Sequence, residues 1–151
     1  MLVGISYDIF TEYFLPKISE FEFLKLNVPE RIDIIDGYMK RSLYAFQKVC
    51  KYDFLHNTDD GSRIFNIDVS EADLIEIADI VSEGMVWHWL KPYANQQELM
   101  ELILNTRDFS TYSPAELLKQ VGSACTKAQH NFVQMIREYS YNHGNLAELH
   151  L

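Results

Sequence analysis

Residues 113–144 read SPAELLKQVGSACTKAQHNFVQMIREYSYNHG, and this stretch decides the fold class. Ser113 is placed to accept the backbone N–H of Glu116, whose carboxylate reaches back to the N–H of Ser113, as in a capping box. Pro114 takes the first helical position, where a missing N–H costs nothing. The spacing predicts a helix over 114–142, roughly 43 Å long at 1.5 Å per residue, with Gly144 as its C-terminal cap. Leu118, Val121, Cys125, Ala128, Phe132, Met135 and Tyr139 step by three and four residues, a heptad-like seam that needs a facing helix. Gly122, Ser123 and Ala124 are small enough to let a partner approach closely.

Working outward, helical spacing continues. Ser70 caps a second main helix over 70–90, stopped by Pro92. Leu74, Ile77, Ala78, Val81 and Met85 fall on one side of it, while Asp73, Glu76, Asp79 and Glu83 fall on the other. A third main helix is expected over 28–51, with Pro29 in its first turn and Ile32, Ile35, Met39, Leu43 and Phe46 as its apolar set. Shorter helices are predicted over Tyr7–Phe14, capped by Ser6 and ended near Pro16, and over 96–104. The stretch Ile18–Leu26 alternates apolar and polar residues and reads as an extended arm or a brief strand. Asp53–Asp68 reads as a polar, turn-rich connection. The expected architecture is all-α: one compact helical bundle over 1–151 with a long C-terminal helix and a short tail over 145–151.

Composition bounds the function. The 151 residues are 48% apolar, enough for a substantial core, and carry a formal charge of −9. The acidity is local: residues 53–91 hold nine acids against Arg63 and Lys91, whereas residues 1–52 are balanced. A broad basic face for gripping nucleic acid and a polybasic membrane anchor are both disfavoured. The start lacks the marks of a signal peptide, no run is long enough to span a membrane, and low Pro and Gly with 13% aromatics argue for order. Cys50 and Cys125 are far apart, so a reducing, intracellular setting is the simpler assumption.

No motif with chemistry of its own emerges. The six glycines stand singly, which excludes a Walker loop and a dinucleotide fingerprint. Aligning Gly61 as the glycine of a calcium loop puts His56 and Ile67 at ligand positions, so that loop reads as a solvated turn. None of His56, His88, His130, His143 and His150 has a His or Cys three or four residues on, so no helical metal pair is formed. His130 lies about 140° around the helix from Cys125, taking 100° per residue, which separates a nucleophile from its base. His88 and His143 suit helix C-termini, and Glu76 with Asp79 reads as solvated charge rather than an acid–base pair. Trp87, Trp89 and Tyr93 read as core or intersubunit packing before they read as a ligand cage. The expectation is a non-enzymatic chain with no cofactor and no metal.

Three stretches nevertheless resemble one family: NTRDFSTYSPAELL over 105–118, IREYSYNHGNL over 136–146, and GMVWHWLKP over 84–92. With Phe14–Leu26 and Ile32–Cys50, they resemble the small helical head-to-tail connector proteins (adaptor, neck or ring proteins) of tailed bacteriophages, including crAss-like phages. The resemblance implies a structural virion protein at the head–tail junction, assembled in the host cytoplasm. It implies a homo-oligomeric ring, commonly twelve-membered, that binds the portal protein and other tail or neck proteins and extends the DNA channel. Carried onto this sequence, it points to Tyr139, Tyr141, His143, Leu146, Leu149 and Leu151 as portal-docking candidates. Trp87, Trp89, Phe132 and Met135 become subunit-interface candidates. Asp73, Glu76, Asp79 and Glu83 become channel-lining candidates, because a negative wall lets DNA pass without specific binding. The rival expectation is a small acidic interaction or regulatory module that imitates nucleic acid.

Overall fold

A computed structural model describes residues 4–21, 26, 28–95 and 114–144, with the side chains of Pro114 and Ala115 excepted. Its long helices are α1 (Asp8–Ser19), α2 (Ile32–Phe46), α3 (Glu71–Asn95) and α4 (Pro114–His143). The all-α bundle with a long C-terminal helix is therefore present. The predicted capping residue Ser113, the helix over 96–104 and the tail over 145–151 lie outside the described residues.

α3 is the centre. It packs against α4 most extensively, then α2, then α1. Ile77, Ala78, Ile80, Val81, Met85, Val86, Trp89 and Leu90 are all buried, which is more of its circumference than one amphipathic stripe. The α4 seam falls against it as the heptad spacing requires: Val121, Cys125, Ala128, Phe132 and Tyr139 are buried, joined by Leu117. Leu118 and Met135 are only partly buried. Gly122 gives no close approach, since a Cβ there would meet nothing within 4 Å. That role belongs to Gly84 of α3, where a Cβ would lie 2.7 Å from Ser42 Oγ and 2.8 Å from the Phe132 ring.

Two helices pass through prolines expected to end them. α1 includes Pro16 and α3 includes Pro92. Both prolines sit on exposed faces, and packing continues beyond them: Ile18 follows Phe10 and Phe14 into the core, and Tyr93 and Ala94 pack against it. The burial gained outweighs the lost backbone bond. The arm expected over 18–26 is corrected accordingly. Ile18 and Ser19 are helical, Phe21 packs on Trp89 with ring centroids 6.1 Å apart, and Leu26 is buried in the same chain. α2 is shorter than predicted: Gln47 takes over at Phe46, its side-chain amide donating to the carbonyls of Cys50 and Tyr52 while its carbonyl accepts from the Phe54 N–H. Ile32, assigned to the α2 core face, is exposed.

The polar connection also holds a small sheet. β1 (Ile5–Ser6), β2 (Thr58–Asp59) and β3 (Ile64–Phe65) pair antiparallel in the order β1-β3-β2. The register sets Ile5 opposite Phe65 and Thr58 opposite Phe65 on the other edge. Phe54 and Phe65 are buried and meet Phe10 edge to face, which anchors the hairpin on α1.

Candidate functional site

The acidic residues of α3 are the strongest candidate from sequence, and their surroundings differ from a solvated stripe. Because α3 is central, the side opposite its apolar set still meets α1 and α4. Lys17 of α1 lies across it: the ammonium donates to Asp79 Oδ1 and the Asp79 carbonyl, both at 2.8 Å, and to Glu83 Oε2 at 3.2 Å. Asn131 of α4 donates to Glu83 Oε1 at 3.4 Å. One turn earlier, His143 Nε2 lies 3.1 Å from Glu76. The Asp73 carboxylate accepts from the Tyr52 hydroxyl, the Asp73 backbone N–H donates to Ser70 Oγ at 3.3 Å, and Lys51 lies 3.9 Å away. Those hydrogen bonds, Tyr52 first, hold the Asp73 carboxyl below its ordinary range.

All four channel-lining candidates are thus tied to other elements. Asp79 stays 51% exposed and Glu76 40%, while Asp73 and Glu83 are largely covered. Lys17, Glu20, Asp79, Glu83, Lys127 and Asn131 line a cleft of about 450 Å³ between α1, α3 and α4. Its charges are mixed, so it is a cross-helix clamp more than a negative wall. Among the described residues, no group of three or more His, Cys, Asp or Glu is placed to hold a metal ion.

The portal-docking candidates divide. Tyr139 is buried, packed edge to face on Phe46 of α2 and stacked under His143. Burial raises its phenol pKa. It is a core residue and is withdrawn as a docking group. His143 is held by that stack and by Glu76, so it ties α4 to α3. Tyr141 is 68% exposed, and its ring is accessible. Leu146, Leu149 and Leu151 lie outside the described residues.

Two of the four interface candidates are corrected in the same way. Phe132 and Trp89 are buried within this chain, Phe132 against Gly84 and Trp87, and Trp89 against Phe21. Trp87 is half-buried between Phe132, His88 and the Lys91 ammonium, and Met135 is partly buried at the α1–α3–α4 cleft. Most of the heptad seam is covered within the chain, by α3 and, at Tyr139, by Phe46 of α2. Cys50 and Cys125 are free thiols whose pKa values burial raises, so neither is an activated nucleophile.

Two features escaped the sequence. One is an ion-pair node around Arg63, whose guanidinium donates to both oxygens of Asp36, at 2.8 and 2.9 Å, and to Asp8 at 2.8 Å. Arg63 has a left-handed φ of 54°, and its carbonyl accepts the Tyr7 N–H. Tyr7 in turn donates to Asp60, which Lys40 holds at 2.6 Å. The node pins the hairpin to α1 and α2, and it consumes acids of the turn that sequence left solvated. The other is an apolar groove of about 260 Å³ lined by Leu15, Ile18, Phe21, Leu26, Val28 and Trp89. Leu15 and Val28 are exposed there, and Ile32 and Ile34 expose further apolar surface at the start of α2. Spacing flags one of these residues: Ile34 lies off the helical face that carries Ile32, Ile35, Met39 and Leu43, whereas Val28 and Ile32 keep that face's spacing and are exposed all the same.

No helix among the described residues is long and apolar enough to cross a membrane. Comparison of the chain with protein-family models, with curated proteins and with solved structures finds no match.

Proposed function

We propose that this chain is a non-catalytic assembly subunit of the head-to-tail connector type: a helical wedge that forms a ring against a phage portal and extends its DNA channel. The observation that carries the reading is the apolar groove, with Leu15 and Val28 of its lining exposed, together with the exposed Ile32 and Ile34 of α2. Exposed apolar surface gathered at one place marks an interaction surface. Tyr44 on α2, Ile75 on α3, and Val133 and Tyr141 on α4 offer further apolar contacts. A closed ring joins one patch to a different patch on the neighbour, and the groove serves as one of the two. The resemblance of the 84–92, 105–118 and 136–146 stretches to connector proteins selects the partner class.

In this reading the burden of facing DNA falls on the acids that keep solvent exposure, Glu76 and Asp79, with the rest of the −9 charge acting at longer range. Nucleic-acid mimicry is less well supported, because Lys17 and Lys51 lie inside the acidic stripe. The test is size-exclusion chromatography with light scattering, on the chain alone and mixed with a tailed-phage portal protein. A ring-sized species, free or on the portal, supports the proposal. A strict monomer that never joins the portal contradicts it.

A further inference from the structure

We infer that the pocket lined by Arg41, His88, Lys91, Pro92 and Asn95 binds a phosphate dianion carried by a small molecule. The pocket is about 350 Å³ and lies between α2 and the C-terminal part of α3. Among the described residues no carboxylate lines it, in a chain with 22 acids against 13 Lys and Arg. Lys17, Arg31, Lys40, Lys51 and Arg63 each have a carboxylate at ion-pair distance. Arg41 and Lys91 have none among the described residues, as is true of Lys48, Lys119, Lys127 and Arg137, but Arg41 and Lys91 line this one pocket together. Such convergence leaves two like charges close together, a cost that a dianion between them reverses.

The donor set suits phosphate. Arg41 supplies a planar fork, Lys91 a point charge, and Asn95 an amide N–H. Lys91 is steadied by the Trp87 ring, with its ammonium 5.1 Å from the centroid. Burial first, then the charges of Arg41 and Lys91, pulls His88 down to about 4. At neutral pH the imidazole is therefore uncharged and offers a single N–H donor, leaving two positive charges for two negative ones. A duplex is a poor occupant, because the field of a −9 chain repels a polyanion far more than a small dianion.

The proposal is tested by NMR titration of the whole chain with inorganic phosphate at pH 7.5, replacing chloride at constant ionic strength. The His88 ring protons and the Asn95 side-chain amide are expected to shift saturably, with half-saturation at millimolar phosphate or below. Affinity is expected to fall at least tenfold in Arg41→Ala and in Lys91→Gln, which keeps the stem packing of Lys91, and to stay unchanged in Lys127→Ala. Shifts that do not saturate, or that weaken equally in Lys127→Ala, overturn it. Tighter binding of a short DNA duplex through the same residues also overturns it, in favour of a nucleic-acid contact.

Discussion

Gly84 of α3 lies so close to Phe132 of α4 that a Cβ at Gly84 would come within 2.8 Å of the ring. The same Cβ would lie 2.7 Å from Ser42 Oγ of α2, so one glycine sets the spacing of three helices. Alanine in a helix gains about 1 kcal/mol over glycine by propensity. Here the overlap with two buried side chains dominates, and Gly84→Ala is expected to destabilise by about 1–3 kcal/mol net. Gly122→Ala has open space around its Cβ and is expected to stabilise by up to about 1 kcal/mol. Thermal unfolding of the two variants checks the contrast, at about 2–4 °C per kcal/mol.

Lys17→Ala removes the cation that Asp79 and Glu83 share. Glu83 is largely covered, so its loss of a partner outweighs that of a surface pair, and a destabilisation of about 1–2 kcal/mol is expected. Double substitution with Asp79→Asn and Glu83→Gln should restore much of it. Urea midpoints at low and moderate salt measure both effects.

Arg63 carries backbone strain and an ion-pair node at once. Arg63→Ala leaves the Asp36 carboxylate, only 13% exposed, without its partner, and about 2–3 kcal/mol of stability is expected to go. Arg63→Gly loses the same pairs but adopts the 54° φ without a Cβ penalty. It is expected to be about 1 kcal/mol more stable than Arg63→Ala. Equilibrium unfolding of the two variants decides this, and equal stabilities would remove the strain from the account.

His88 makes stability depend on pH. In the unfolded chain the imidazole takes up its proton near 6.5, and in the folded chain near 4, because of burial and the charges of Arg41 and Lys91. Between those values the unfolded state holds more protons, so the His88 contribution is complete above pH 6.5 and is lost as pH falls towards 4. Melting temperature is expected to drop less between pH 7 and pH 5 in His88→Gln than in the unaltered protein. A parallel drop in both would contradict the assignment.

Much of this fold is legible in the sequence because α4 has one face to bury. Its three-and-four spacing is followed by burial from Val121 to Phe132 and again at Tyr139, with Met135 partly buried between them. What the spacing does not encode is which helix covers the seam: α3 of the same chain does, so Phe132 and Tyr139 are core where intersubunit and portal contacts were expected. α3 defeats the same method from the other side. A helix packed against three others keeps little open side, so Asp73, Glu76, Asp79 and Glu83 meet neighbours despite pointing away from Ile77 and Val81, and only Glu76 and Asp79 keep substantial exposure. The sheet was illegible because each strand is two residues long, too short for any alternation.

The groove predicts where assembly fails. Val28 is 55% exposed, so Val28→Glu leaves the fold intact while placing a charge on the rim of the apolar surface. Circular dichroism and melting temperature should be unchanged within about 2 °C, in line with a surface substitution of under 0.5 kcal/mol. Ring formation should be lost. A variant that assembles as well as the unaltered chain would move the contact away from the groove.

The most direct test of the assembly account is electron microscopy of a tailed-phage portal protein, imaged alone and after addition of the purified chain. The account predicts an extra ring of density coaxial with the portal, leaving the central channel open. A portal particle unchanged by saturating amounts of the chain would contradict it.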